Sequence, residues 1–355
     1  MNVLVKLQRI ALIAGTGVFL IAAPVWCGQA EEALNNGLKL HEEGKPKEAI
    51  REYDRALKAN PKLSEAYFNR GNAYYDLGQN EQAIKDYSEV IRLNPKDAES
   101  YYNRGNAYRR LKKDELALKD YTSAIKLSPD DAKNYVNRGS IYFDLRRYDQ
   151  AVKDFSEALR IDPKDADVFY NRANSYLALD KKEEAIHDYN EAIALSPSTA
   201  EAYYNRGIVY ADIGQQDKAI EDFTEVIKLN PKSANAFYNR GLAQAKSGHH
   251  ETAVEDYSEA MRLNPKDPEA PFNRGISYMR TGKYDYAGRD FSEVIRMQPR
   301  NAEAYVYRGI VRIYQDKEKD ADVDFQKAFQ IDPSLKKKLQ PLINEAKENA
   351  DKTKK

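Results

Sequence analysis

The groups in this 355-residue sequence that could carry chemistry are four histidines, one cysteine and several polar residues that recur at fixed spacing. His41, His187, His249 and His250 stand at unrelated places, and only the last two adjoin, without a cysteine or carboxylate set around them. That is no metal site, since zinc takes three or four converging ligands. Cys27 is alone, which rules out an internal disulfide and a cysteine cluster. Ser88, Ser156, Ser258 and Ser292 recur in register but have no base at triad spacing, and their place predicts a solvent-facing slot. There is no phosphate loop and no dinucleotide fingerprint. The inventory therefore predicts no catalytic residue, no metal and no cofactor, hence no enzyme. Lys+Arg and Asp+Glu are both 56, so no net basic field draws nucleic acid. With 42% hydrophobic residues and 26 tyrosines, the chain has ample material for a core. What remains are two polar rows, one of asparagine and one of arginine, and their meaning depends on the elements that carry them.

Those elements follow from proline. Pro61, Pro95, Pro129, Pro163, Pro197, Pro231, Pro265, Pro299 and Pro333 lie 34 residues apart. With proline as position 32, repeats begin at Ala30, Ser64, Ala98, Ala132, Ala166, Ala200, Ala234, Pro268 and Ala302. Position 8 is glycine in every repeat but one, where it is Ala173, and position 20 is always alanine. Position 24 is always aromatic, from Tyr53 to Phe325, and position 27 is always Ala or Val.

Each repeat reads as two helices. Positions 4, 8 and 11 make one helical stripe and positions 20, 24, 27 and 28 another. Gly44, Gly78, Gly214, Gly248 and Gly282 stop the first helix. The residue before proline leaves the helical region, which ends the second helix near position 31. Asp97, Asp131, Asp165 and Asp267 then cap the next one. A turn near positions 15 and 16 makes antiparallel positions that sum to about 31 face each other. Large residues then meet small ones, as close helix packing requires. Ala173 at position 8 indicates that small size, and not a left-handed backbone, is what that position needs.

Aromatic-x-x-x-Gly-x-x-Tyr, then Ala, aromatic, Ala and Pro, at this spacing resembles the tetratricopeptide repeat over about residues 30–335, in nine copies. Departures are Ala33 and Pro271 at position 4 and Gln244 and Arg312 at position 11. The resemblance implies an all-α fold, a right-handed α-solenoid superhelix of helix-turn-helix repeats with the first helices lining a concave groove. Residues 336–349, with Leu339, Leu342, Ile343 and Ala346, read as a solvating helix over the last apolar face, followed by a Lys-rich tail.

Arginine fills position 7 in eight repeats: Arg70, Arg104, Arg138, Arg172, Arg206, Arg240, Arg274 and Arg308. In the same repeats position 23 is Asp86, Asp120, Asp154, Asp188, Asp222, Asp256, Asp290 and Asp324. The facing rule predicts a ladder of Arg–Asp pairs inside the repeats, a structural role preferred over a row of anion receptors.

Asparagine fills position 6: Asn35, Asn69, Asn103, Asn137, Asn171, Asn205, Asn239 and Asn273, until Tyr307 breaks the row. Asparagine suits a helix interior poorly, so eight copies need a reason. The row resembles the asparagine ladder in the repeat domain of the O-linked N-acetylglucosamine transferase, which implies amides gripping an extended peptide backbone. The alternative is inheritance by duplication, with each amide solvated or bonded to a neighbour. Beside it at position 5 stand Phe68, Tyr102, Tyr170, Tyr204, Tyr238 and Phe272, either to pack ligand side chains or to fill space between helices. Expected peptide-binding residues are Asn69 to Asn273 in this row with Tyr102, Tyr170, Tyr204 and Tyr238. Position 5 carries no Lys or Arg, which disfavours a receptor for C-terminal carboxylates.

Residues 1–30 are different. Lys6 and Arg9 precede an uncharged stretch from Ile10 to Ala30. A basic start, an apolar run and small residues read as a secretory signal cleaved after Ala30. A retained membrane anchor and lipid attachment at Cys27 are the alternatives, although Trp26 is a poor neighbour for the latter. All three put the rest outside the cytoplasm, periplasmic or extracellular. The expected organisation is a signal or anchor at 1–30, nine repeats at 31–335, and a capping helix with a tail at 336–355. The expected function is a non-catalytic interaction scaffold for a protein or peptide partner, with membrane contact only if the N-terminal segment is retained. An anchored assembly adaptor using the convex face, or a substrate-recruiting subunit of a separate enzyme, are the alternatives.

Overall fold

The computed structural model describes residues 22–353, which form helices and connecting turns with no strand among them. The chain divides into two units at Asp162/Pro163. The first holds α1 (Ala22–Glu42), α2 (Pro46–Ala59), α3 (Ser64–Asp76), α4 (Asn80–Leu93), α5 (Ala98–Arg110), α6 (Asp114–Leu127), α7 (Ala132–Asp144) and α8 (Tyr148–Ile161). The second holds α9 (Ala166–Ala178), α10 (Lys182–Leu195), α11 (Ala200–Asp212), α12 (Gln216–Leu229), α13 (Ala234–Lys246), α14 (His250–Leu263), α15 (Glu269–Arg280), α16 (Tyr284–Met297), α17 (Ala302–Tyr314), α18 (Glu318–Ile331) and α19 (Ser334–Thr353). Within each unit every helix packs on the next, so the repeats stack as an α-solenoid. Most of the predicted signal lies outside the described residues. Helix α1 crosses the expected 30/31 boundary unbroken, and Ala30, Ala33 and Leu34 are buried.

The turn between the two helices of a repeat is set at position 15. Gly44, Gly78, Gly214, Gly248 and Gly282 have φ of 73, 74, 81, 82 and 72°. In the remaining repeats Lys112, Arg146, Asp180 and Asp316 adopt φ of 57–59° instead. The turn therefore imposes the left-handed conformation whether or not glycine is there. The next amide closes the helix end, as where Lys45 N–H donates to Leu40 O. Asp131, Asp165 and Asp267 accept backbone N–H groups at the next helix start as expected. Asp97 does not: its carboxylate takes the Ser100 hydroxyl instead.

Each repeat is centred on its position-24 ring. Tyr53, Tyr87, Tyr121, Phe155, Tyr189, Phe223, Tyr257 and Phe291 are essentially fully buried. The position-8 glycines let the first helix lie on that ring. A Cβ on Gly71 would stand 2.8 Å from Tyr87, and on Gly105 3.0 Å from Tyr121. None of these glycines has positive φ, so their role is close approach. At the far end Leu335, Leu339, Ile343, Ala346 and Ala350 of α19 join Val306, Ile310 and Ile313 of α17, which covers the last apolar face.

Candidate functional site

All eight predicted Arg–Asp pairs are present and bidentate. In each, Nε donates to Oδ2 and Nη2 to Oδ1, at 2.6–2.9 Å. The aspartates are buried and the arginines mostly so. In five repeats rings at positions 4 and 11 both flank the guanidinium, as Tyr203 and Tyr210 flank Arg206 at 5.6 and 5.7 Å, and in the last three one ring does. Burial pushes the Asp222 carboxyl up, and the Arg206 hydrogen bonds and charge pull it back.

The third edge of the guanidinium does what facing arithmetic within one repeat missed. Nη1 reaches back to position 25 of the preceding repeat. It donates to Asp54 from Arg70, Ser88 from Arg104, Thr122 from Arg138, Asn190 from Arg206, Thr224 from Arg240, Ser258 from Arg274 and Ser292 from Arg308. The slot expected to face solvent is thus an acceptor between repeats, and Ser88, Ser258 and Ser292 donate their own hydroxyl hydrogen four residues back along the helix. The signal was in the sequence: position 25 is an acceptor in every repeat that precedes an arginine.

From Asn69 to Asn273 the asparagine row sits half-buried on the first helices, beside the position-5 aromatics, while Asn35 is exposed. In the second unit Asn205 Nδ2 donates to Tyr170 Oη at 3.1 Å, Asn239 to Tyr204 at 2.8 Å and Asn273 to Tyr238 at 3.0 Å. Each link joins one repeat to the one before. In the first unit Asn137 donates to Tyr102 at 3.0 Å, while Asn103 turns to Asn72 Oδ1 at 3.4 Å and Asn69 to its own helix at Glu65 O. Asn171 makes no side-chain hydrogen bond among the described residues. The tyrosine rings do fill space: Tyr102, Tyr170, Tyr204 and Tyr238 pack on Tyr121, Tyr189, Phe223 and Tyr257 with centroids 5.8–6.0 Å apart.

The links fix the chemistry that is left over. Each of these amides has spent one donor on a tyrosine, and Asn205 and Asn273 also donate to Asn174 Oδ1 and Glu269 O. The tyrosine oxygen accepts, so its own O–H is free to donate, and the asparagine Oδ1 stays an acceptor. Asn137 is the exception, since Arg109 occupies its Oδ1 at 3.3 Å. Burial raises the Tyr204 hydroxyl above the usual tyrosine value, and burial with the nearby Glu269 charge pushes Tyr238 up to about 12. Both stay protonated donors at neutral pH.

Two cavities adjoin this face, one in each unit. In the second unit a cavity of about 220 Å³ is lined by Tyr170, Tyr204, Asn205, Glu201, Asn230 and Asn235, among others. In the first, one of about 350 Å³ is lined by Asn72, Asn103, Asn106, Tyr75 and the His41–Asp76 pair. No group of three or more possible metal ligands occurs among the described residues.

Sequence comparison places this geometry among known repeats. A family model described as TPR repeat matches residues 37–78, 71–112, 139–180 and 173–214. Two described as tetratricopeptide repeat match residues 98–131, 200–233 and 234–267, and residues 272–334. No curated protein matches the chain. Among solved structures, the C-terminal part of a TPR repeat-containing protein from Cytophaga hutchinsonii is 16% identical, with a TM-score of 0.60, over 68% of this chain and 98% of that one. YrrB, described as a TPR protein with an unusual peptide-binding site, is 28% identical with a TM-score of 0.49, over 53% and 96%. MamA is 27% identical with a TM-score of 0.46, over 48% and 92%. The repeat models between them match most of the sequence, and the chain belongs to the tetratricopeptide-repeat family.

Proposed function

We propose that this protein is a non-catalytic scaffold that holds an extended segment of a partner protein across the Tyr–Asn face of its second unit. One observation carries the reading. Each link from Tyr170–Asn205 to Tyr238–Asn273 leaves one O–H donor and one amide acceptor uncommitted on the same surface. An extended backbone presents acceptors and donors in alternation and meets such a surface without regard to its side chains. Each bond nets only about 0.5–1.5 kcal/mol, so affinity accumulates over several repeats. Glu201 in the cavity favours a neutral or basic segment.

The test is a photo-crosslinking residue at Asn239, with captured peptides mapped by mass spectrometry, and the same probe at the exposed Lys218 as control. Partner segments cross-linked at 239 and not at 218 are expected. The double variant Tyr204→Phe/Tyr238→Phe, shown folded by circular dichroism, is then expected to bind that segment about tenfold more weakly, for two lost bonds of this size. Capture equal at both sites, or unchanged affinity in the variant, refutes the groove.

We propose also that the protein works outside the cytoplasm, on the strength of Lys6, Arg9 and the uncharged stretch that follows. The mass of the mature N-terminus in fractionated cells decides this. A start at Glu31 marks a cleaved signal, a start at Met1 in the membrane fraction marks an anchor, and full-length cytosolic protein overturns export.

A further inference from the structure

The junction between α16 and α17 breaks the repeat pattern twice at one place. Position 21 is aliphatic in the first seven repeats, from Ile50 to Val254, but is Gly288 in the eighth. There the aliphatic side chain packs against the first helix of the following repeat: Ile186 belongs with Val209 and with Tyr210. In the ninth repeat that position-11 tyrosine is Arg312. Both the filler and its aromatic partner are therefore missing. A side chain added at Gly288 would meet only Val311 at 3.4 Å and Gln315 at 3.9 Å. In their place is an open cavity of about 770 Å³.

Its lining is cationic. Arg289, Arg296, Arg308, Arg312 and Lys317 face three acids, Asp285, Glu293 and Asp320. The pairing leaves positive charge over. Arg308 and Arg312 share the single carboxylate of Asp324, at 2.7 Å each. Arg296 is matched by Glu293. Arg289 lies over the Tyr286 ring at 5.8 Å and meets no carboxylate among the described residues. None of the asparagine row and none of the position-5 aromatics lines this cavity.

We propose that this cavity is a second binding site, for an acidic peptide segment with neighbouring Asp or Glu carboxylates. Guanidinium groups are matched to carboxylates by their fork of donors. The volume exceeds what one small anion fills, given about 30 Å³ for a water, and accommodates several side chains of a segment. Where the Tyr–Asn face is built for backbone and disfavours acids, this one selects them.

The test uses the purified full chain and fluorescein-labelled decaglutamate, with decalysine as the control. Decaglutamate is expected to bind at 50 mM salt, several-fold more weakly at 200 mM, and decalysine not to bind. Gly288→Ile/Arg312→Tyr restores the packing of the earlier repeats, so it folds, and binding is expected to fall at least tenfold. Arg289→Ala, at an exposed site, is expected to weaken it several-fold. Asn205→Ala/Asn239→Ala is expected to leave it unchanged. The proposal is overturned if wild type fails to bind decaglutamate, if Gly288→Ile/Arg312→Tyr binds it equally well, or if the asparagine variant loses it. Inorganic phosphate competing with equal affinity also overturns it, because a small-anion site is then sufficient.

Discussion

Arg206 and Asp222 are joined across α11 and α12 by two parallel hydrogen bonds, Nε to Oδ2 at 2.9 Å and Nη2 to Oδ1 at 2.6 Å, while Nη1 reaches Asn190 of the preceding repeat at 2.5 Å. One side chain thus closes its own repeat and fastens it to the one before. Burial opposes the pair, so its net worth is small, but its loss leaves an uncompensated charge. Asp222→Ala is expected to cost about 3–5 kcal/mol. Replacing both partners, as Arg206→Met/Asp222→Leu, is expected to cost much less. Urea unfolding of the single and double variants checks this, and an Asp222→Ala protein that unfolds no earlier than wild type refutes it.

The turn at position 15 holds four non-glycine residues in a left-handed conformation. This costs roughly 1–2 kcal/mol for an L residue, against about 0.5–1 kcal/mol of extra chain entropy for glycine. Arg146→Gly is therefore expected to raise stability by about 0.5–1 kcal/mol. Gly78→Ala is expected to lower it by a similar amount. Thermal melts of the two variants should move in opposite directions.

Position 8 tests packing. Ala173 is buried against the same ring that glycine meets elsewhere. Gly71→Ala is expected to destabilise by about 1–3 kcal/mol, because the new methyl group presses on a ring that fills its site. Equal stability of that variant and wild type would show that the first helix shifts at little cost.

Alkaline unfolding follows from the buried tyrosines. Burial, with the Glu42 and Glu65 charges, pushes Tyr53 up to about 12, and burial drives Tyr87, Tyr121, Tyr189 and Tyr257 higher still. An unfolded tyrosine titrates near 10. Above that pH the unfolded chain binds fewer protons than the folded one, so stability falls as pH rises. It is intact below pH 10 and is lost as pH climbs from about 10 through about 12, by about 1.4 kcal/mol per pH unit for each such tyrosine. Tyr257→Phe, a residue type found at position 24 in four other repeats, is expected to flatten the decline. Urea midpoints at pH 9, 10 and 11 measure it.

The intra-repeat geometry was legible because antiparallel helices obey one sum, which paired positions 7 and 23 before any coordinate. Bonds between repeats were not, since that sum says nothing about the distance from one helix pair to the next. For this reason the position-25 acceptors do not follow from it, and for the asparagine row it leaves a ligand-binding role and a bond to a neighbour equally open. Three of the five position-24 tyrosines also find a partner within their own repeat. Tyr87, Tyr121 and Tyr189 at position 24 donate to Asn72, Asn106 and Asn174 at position 9, whereas Phe223 and Phe291 go with Ile208 and Ile276. An acceptor there serves a hydroxyl buried beside the first helix, but Tyr53 and Tyr257 have Leu38 and Leu242 at that position, and the Tyr53 hydroxyl is buried without a partner among the described residues.

The arginine links to position 25 and the asparagine links to tyrosine run one way: the later repeat donates and the earlier one accepts. On the ribosome, which delivers the N-terminal end first, every acceptor in these two rows is therefore made before its donor emerges. The groups left waiting at the growing end are mostly neutral hydroxyls and amides that water serves well. Each arginine, by contrast, waits only 16 residues for the aspartate of its own repeat. Synthesis in this order lets the stack lengthen one repeat at a time without exposing a buried charge for long.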